Sequence, residues 1–416
     1  MTLSSNVCDQ LYEIARNHNG ANVRVCFNGV ETLIVQRIED ADYILRLNAS
    51  NYRKNMNWFQ QTLGRSRFSE DGRDWEIRRN LTQTYFNRFD REKAFQLATN
   101  YGEIGVERLI THSLDASVID DNILRDMTAS VVIDNFFGVQ LGDTKIDLAS
   151  LAELMAISSD YSFVPKGKTN ALYRNRLAII PNLRRRILDQ LSYFRMPEIT
   201  RTPLLKDLLQ ADAREEDRVI FEHEMLTFIA AGSETTAATM SWVCYLLALY
   251  PEIQDRLRVD VIQYWNEHSK NWNSLSQLKA LARFISEALR LFPPTPIVAR
   301  YAIDDDLIGD MVVSPGQNIM VSFIGIHHDA RFRRDPWRLN IDDRAETKPS
   351  GDTMAFSIGP RVCGGKQFAL LEMVTFLSVF LRKAHFTLTS AEPPTFFWKS
   401  QMLREGGQPV RVEALL

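Results

Sequence analysis

Apolar and polar residues alternate through VRVCFNG and ETLIVQR, from Val23 to Arg37, on either side of Asn28 and Gly29. Alternation across an Asn-Gly pair predicts a β-hairpin, and with it a small sheet near the start of the chain. Cys26, inside the first strand, is expected simply to pack. Glu39 and Asp40 then open a short helix running to Leu47, acidic residues being favoured in a first turn. Residues 52–73 show no clear period and are expected to form an irregular loop. Helical spacing returns at Asp74. From about 90 to 215 the chain reads as successive amphipathic helices with breaks near Gly142, Pro165, Pro181 and Pro203. The run Arg184, Arg185 and Arg186 is expected to be a solvated helix face. From about Asp217 to Tyr250 the helical pattern is nearly uninterrupted, about 50 Å at helical rise. Pro251 suits the first position of the next helix, and LKALARFISEALRLFPPTP makes another that stops at its prolines. IVARYAIDDDLIG and NIMVSF, around Pro315 and Gly316, read as strands. KQFALLEMVTFLSVFLRKA is apolar enough to be a buried helix.

Composition narrows the possibilities. A net charge of −3 with 24% charged residues suits neither a nucleic-acid binder nor an acidic tail. A chain of 416 residues can enclose a cavity deep enough to hide a cofactor. Cys8, Cys26, Cys244 and Cys363 are few and scattered, which favours a reducing compartment without a disulfide framework. No apolar run near the start is long enough for a membrane helix, and no basic-then-apolar signal precedes it, so a cytoplasmic chain without a membrane anchor is expected. No paired zinc-ligand spacing occurs, and the neighbours His327 and His328 suggest no metal role. Cys244 is expected to pack within its helix.

The chemistry gathers at FSIGPRVCGG, Phe356 to Gly365. A thiol ligates iron strongly as thiolate, and its charge is held by backbone N–H groups, a helix N-terminus and a nearby cation. Gly359, Gly364 and Gly365 permit tight turns that wrap amides around the Cys363 sulfur. The apolar helix that follows offers its positive end, and Arg361 a charge. Phe-x-x-Gly-x-Arg-x-Cys-x-Gly fixes five positions, a chance match on the order of one in ten thousand for a chain of this length. This stretch resembles the haem-binding signature of the cytochrome P450 family. The resemblance implies that Cys363 is the metal ligand, the proximal thiolate that pushes electron density onto haem iron, with Phe356, Gly359, Arg361 and Gly365 around the cofactor.

Other stretches agree with it in order. Ala231-Gly232-Ser233-Glu234-Thr235-Thr236, in the middle of the long helix, matches the family's oxygen-activation motif, and a helix this apolar has no packing reason for Glu234 and Thr235. By the resemblance Ala231 and Gly232 border the cofactor, with Gly232 leaving room for oxygen. Thr235 hydrogen-bonds bound dioxygen and Glu234 relays protons from solvent. Thr235 can also bond back to the carbonyl four residues earlier. Trp75 and Arg79 share a helix face and, with Arg300, match positions that bind the haem propionates, as Arg361 does. Glu287 and Arg290 match the family's buried Glu-x-x-Arg, which locks to a second arginine; Arg338 and Arg344 both remain open for that place. Trp58, Phe59 and Leu63 in the 52–73 region, and Thr295, Ile297 and Val298 before Arg300, fall where relatives contact substrate. Helices around 150–190 would form the family's mobile lid.

The resemblance covers roughly residues 20–410. It implies one domain over 1–416, mainly α with small β sheets, a triangular helical prism with a β-rich lobe from about 20–50 and strands near 295–325. It implies haem b, dioxygen as co-substrate, and electrons from NAD(P)H through a separate ferredoxin or flavodoxin with its reductase, no length remaining for a fused one. The soluble, bacterial type and a monomer are expected. Arg73, Arg78, Arg331, Arg333, Arg334 and Lys366 are candidates for the acidic partner's dock. The substrate is an apolar small molecule, and residues 52–79 loosely resemble members that handle fatty acids or terpenoids; family habit suggests a role in secondary metabolism. A hydrogen-peroxide-driven peroxygenase and a non-catalytic haem sensor or carrier are the alternatives, both with little use for Glu234 and Thr235.

Overall fold

The computed structural model describes residues 6–27, 29–54, 56–162, 171–199, 202–266, 270–342 and 354–415. Helix α1 (Val7–His18) leads into the antiparallel pair β1 (Val23–Phe27) and β2 (Val30–Val35), joined in the register the hairpin predicts, with Phe27 opposite Val30. Asn28 lies outside the described residues. Cys26 departs from expectation: alternation puts it with Arg24 on the outward face, and it is exposed. β2 runs parallel to β7 (Asn318–Ser322), which pairs with β4 (Ile297–Ala302), and β4 takes β3 (Tyr52–Arg53) at the edge. This five-stranded sheet, with order β1-β2-β7-β4-β3, carries a small apolar cluster of its own around Leu33, Val35, Ile319 and Val321.

The helix expected to end at Leu47 is α2 (Ile38–Asp42) continued by a π-helical turn at Tyr43–Leu47. The stretch expected as an irregular loop contains β3 and the short helix α3 (Asn57–Thr62), too brief to show a helical period in sequence. It is held from outside, Thr62 Oγ1 meeting Ser158 Oγ at 2.5 Å. The helices α4 (Gly72–Asn87), α5 (Arg91–His112), α6 (Asp121–Phe137) and α7 (Leu148–Ser162) follow, with Gly142 in a 3₁₀ turn before α7. In α8 (Ala171–Leu191) the expected break at Pro181 does not occur, the exposed proline lying inside the helix. Pro165 lies outside the described residues. Pro203 opens α9 (Pro203–Ala213), Thr202 capping it.

Helix α10 (Phe221–Leu249) is the axis of the molecule, 29 residues or about 43 Å. It starts four residues later than its apolar pattern suggests because Arg218 takes a left-handed φ of +49°. Nearly every side is buried, as a helix apolar all round requires. Its closest neighbour is α6, and a Cβ on Gly232 would sit 2.9 Å from Val132 Cγ2 of that helix. Gly232 therefore allows the close approach of α6. α11 (Pro251–Asn266) and α12 (Lys279–Leu291) lead to β4, the hairpin β5 (Asp306–Ile308) and β6 (Met311–Val313), β7, and the short α13 (Phe323–His327). The last long helix, α14 (Lys366–Lys383), packs on α5. The pairs β8 (Ala384–Leu388) with β11 (Val410–Ala414) and β9 (Phe396–Lys399) with β10 (Gln401–Arg404) complete the chain. The architecture is mainly helical with small sheets, and no helix among the described residues is long and apolar enough to cross a membrane.

Candidate active site

Two 3₁₀ turns, Met354–Phe356 and Gly359–Arg361, shape the loop before α14. Gly359 has φ +73°, and a Cβ there would lie 2.1 Å from the Leu45 carbonyl oxygen, so no other residue fits. The loop closes when Cys363 N–H donates to the Phe356 carbonyl at 2.8 Å. Cys363 stands just ahead of α14, with the N–H groups of Gly365 and Lys366 turned to its sulfur. Burial pushes its thiol up; those N–H groups, Arg67 and Lys366 pull it down. The side chain is nonetheless exposed. A sulfur set deep among protein atoms yet uncovered faces a space inside the molecule.

The long helix shows an open strip over the same region. Thr227, Ala231, Gly232 and Thr235 are incompletely covered on an otherwise buried helix, and their spacing puts them along one side. Thr235 Oγ1 donates to the Ala231 carbonyl at 2.9 Å, the back-bond expected of it. Glu234, one residue earlier, points about 100° around the helix from Thr235. It is buried, and its Oε1 meets Arg125 Nε of α6 at 2.8 Å. Burial raises its carboxyl and Arg125 opposes the rise. Beneath the motif, Glu372 of α14 is fully buried near Thr236, and burial pushes its carboxyl well above the usual range.

A cluster of cations stands at one edge of this space. Arg361 lies 3.9 Å over the Trp75 ring and pairs with Asp71, while Arg79 lies 5.5 Å over the same ring. Arg300 is buried and, among the described residues, donates only to the carbonyl of its neighbour Ala299. Burial lowers Arg300, Arg361 and Arg67 to about 10 each, and Lys54, among Arg300, Arg361 and Arg67, falls well below its ordinary value. Among the described residues, Asp71 is the one carboxylate acting on Lys54, Arg300 and Arg361 alike, and Arg361 Nη1 is buried without a hydrogen-bond partner. Donors in excess of acceptors at a buried site call for further carboxylates. The two propionates of haem fit that demand, and the thiol fits its iron.

Glu287 and Arg290 form the buried pair expected of α12, at 2.8 Å. Among the described residues the second arginine is Arg333 and not Arg338: Arg333 Nη1 meets Glu287 Oε1 at 2.9 Å. Arg338 is largely exposed, its guanidinium on Asp335 and only its carbonyl accepting from Arg290 Nη2. Arg344 lies outside the described residues. His327 completes the lock, accepting from Met354 N–H through Nε2 at 2.7 Å and therefore donating through Nδ1 to the Arg290 carbonyl at 3.1 Å. It ties α12 to the start of the cysteine loop.

The expected substrate contacts divide. Phe59 and Leu63 are covered core residues, bracing this wall without facing open space, while Trp58 and Thr295 are half-buried. Ile297 and Val298 point to opposite faces of β4, so they cannot both face a substrate; Val298 packs on the small cluster. Two of the expected docking cations are internal: Arg78 is paired with Glu224 of α10 at 3.1 Å, both fully buried, and Arg333 belongs to Glu287. Arg184 is likewise not a solvated residue, being half-buried beside His223. Sequence reasoning missed Lys54, Arg67, Asp71, Arg125 and Glu372, and placed Arg333 at the dock when it pairs with Glu287. Glu372 in ALLEM carried a signal, a lone acid in an apolar helix; the others sit in charged stretches where nothing separates an inward side chain from an outward one.

A family model described as Cytochrome P450 matches residues 4–408, and the chain belongs to that family. It is thus an enzyme of the monooxygenase class with the P450 fold. Among similar proteins, "Protein LUTEIN DEFICIENT 5, chloroplastic" of Arabidopsis thaliana is 24% identical, over 92% of this chain and 70% of that protein. "Cytochrome P450 4F12" of Homo sapiens is 30% identical over 59% of this chain and 48% of that protein. "Cytochrome P450 72A68" of Medicago truncatula is 27% identical over 64% of this chain and 56% of that protein. The chain spans about half the length of these last two. "Putative cytochrome P450 132" of Mycobacterium tuberculosis (strain ATCC 25618 / H37Rv) is 35% identical over 45% of this chain and 41% of that protein, so plant, human and bacterial relatives alike support the family and single out no type within it.

Proposed function

We propose that the chain is a single-domain haem-thiolate monooxygenase that oxidises an apolar small molecule of the fatty-acid or terpenoid kind. The observation that carries this is the meeting of Cys363 with the excess of buried donors around Asp71, one set suited to an iron and the other to two carboxylates. Cys363 would hold the iron, and Arg300, Arg361, Arg79 and Trp75 the propionates. When bound, haem supplies what no side chain can, activation of dioxygen at iron. Thr235 borders that space, and a turn about χ1 frees its hydroxyl from Ala231 to donate there. Glu234 brings protons by leaving Arg125, which makes Arg125 a positioning residue. The core around the strip excludes bulk water.

Electrons are proposed to come from an acidic ferredoxin or flavodoxin at the cysteine face, where Arg73 and Lys366 are exposed. The unpaired cysteines fit a reducing compartment, and we place the protein in the cytoplasm as a monomer. The test compares turnover on NADH with redox proteins against turnover on hydrogen peroxide, in wild type and Thr235→Ala. Partner-driven product per NADH falls in the variant while peroxide forms. Undiminished partner-driven coupling in Thr235→Ala would remove Thr235 from its role, and turnover on peroxide alone would favour the peroxygenase reading.

A further inference from the structure

A second cavity lies away from the cysteine, about 300 Å³ in volume and lined by Asn57, Gln60, Gln61, Arg65, Arg184 and His223. It sits where α3, α8 and the first turn of α10 meet. Among the described residues its lining holds two guanidiniums, an imidazole and three amides, and no carboxylate. Arg65 is partly matched by Glu70 at 3.5 Å. Arg184 makes no ion pair with a carboxylate among the described residues, and its Nε is buried without a hydrogen-bond partner.

His223 explains what is missing. The backbone N–H of Arg65 donates to its Nδ1 at 3.2 Å, and Arg184 Nη2 stands 2.7 Å from its Nε2. Neutral imidazole has one acceptor nitrogen and one N–H. With Nδ1 accepting, Nε2 carries the proton and faces the guanidinium donor to donor. Gly64 packs directly on the ring, where a Cβ would lie 2.5 Å from Cγ. Burial and the Arg184 charge hold His223 down to about 4, so gaining a second proton at neutral pH offers no relief. An anion that accepts from both Arg184 and Nε2–H resolves the conflict.

The cavity is also aligned with the active site. His223, Thr227, Ala231 and Thr235 follow at intervals of four along α10, one slanting row whose ends are about 18 Å apart. Arg65 in the cavity wall is two residues from Arg67, which acts on the Cys363 sulfur. We propose that this cavity binds the carboxylate of an elongated apolar acid through Arg184 and His223, its body running along the α10 row so that oxidation falls far from the acid group. This rests on the monooxygenase reading and narrows its substrate.

The test uses the haem-loaded protein and equilibrium dialysis of hexadecanoate, 1-hexadecanol and acetate, with the haem spin-state shift as a second readout. Hexadecanoate is expected to bind at least tenfold tighter than the alcohol, and acetate weakly. Arg184→Gln brings the acid to the alcohol's affinity without changing the alcohol, whereas Arg185→Gln, altering its exposed neighbour, changes neither. Equal wild-type binding of acid and alcohol overturns the proposal, as does equal weakening of both by Arg184→Gln. Acetate bound as tightly as hexadecanoate overturns it in favour of a free-anion site. If Arg184→Gln does not fold, the wild-type comparison decides. A protein showing the carbon-monoxide signature of thiolate haem but no acid preference fails this proposal and keeps the parent reading; the converse fails only the parent.

Discussion

Gly359 is bounded twice over, by a φ of +73° and by the Leu45 carbonyl where a Cβ would go. Gly359→Ala is therefore expected to shift the cysteine loop, costing more than the about 1 kcal/mol of a left-handed alanine alone. The check is thermal melting together with haem retained after gel filtration; an unchanged midpoint and full retention would refute the assignment. Glu372 gives a pH signature. Burial raises its carboxyl well above the ordinary value of 4.5, so above that pH the unfolded chain has released a proton the folded chain still holds. Raising the pH then favours unfolding, from the ordinary carboxylate range up to the raised folded value. Glu372→Gln should melt higher than wild type at pH 8 and with a flatter pH dependence above pH 5. Parallel curves for the two proteins would show that Glu372 ionises as freely folded as unfolded. Residue types that contradict their surroundings were readable in sequence, as Glu234 and Thr235 in an apolar helix show. Arg67 and Arg333 were not, because inward and outward arginines look alike in RSRF and RFRRD until the chain folds.

Among the elements, α12 is fixed to the cysteine loop by charge and by His327. Removing one member of a buried ion pair leaves the other uncompensated, at about 3–5 kcal/mol. Glu287→Gln strands both Arg290 and Arg333 and should lower the denaturant midpoint accordingly. Arg333→Gln should cost less, since Glu287 keeps Arg290, and Arg338→Gln should stay within about 0.5 kcal/mol. Urea melts of the three variants give the order, and a larger loss at Arg338 than at Arg333 would reverse the assignment. The long helices were legible because their apolar periodicity outlasts local noise. The six residues of α3 were not, being set by contacts with α7. Pro181 misled because an exposed face can tolerate the hydrogen bond that proline removes, where a packed one would break.

For the whole molecule, the β-hairpin was readable but the sheet was not. Its centre joins β2 to β7, with Thr32 opposite Asn318, a long-range pairing that local alternation does not encode. The charge on the cysteine face was similarly overread, since Arg78 and Arg333 are internal. Arg73, Arg331, Arg334 and Lys366 remain exposed, and Arg73→Glu with Lys366→Glu should slow reduction by an acidic partner and flatten its salt dependence. Stopped-flow reduction at two ionic strengths reads both; unchanged rates and slopes would move the dock elsewhere.

The central claim is a thiolate from Cys363 on haem iron, and the most direct measurement is the difference spectrum of the reduced protein with carbon monoxide, for wild type and Cys363→His. Wild type is expected to show the long-wavelength band of thiolate-ligated haem, and the variant to lose it while still binding haem. A folded, haem-loaded wild type without that band, or a variant that keeps it, would contradict the account.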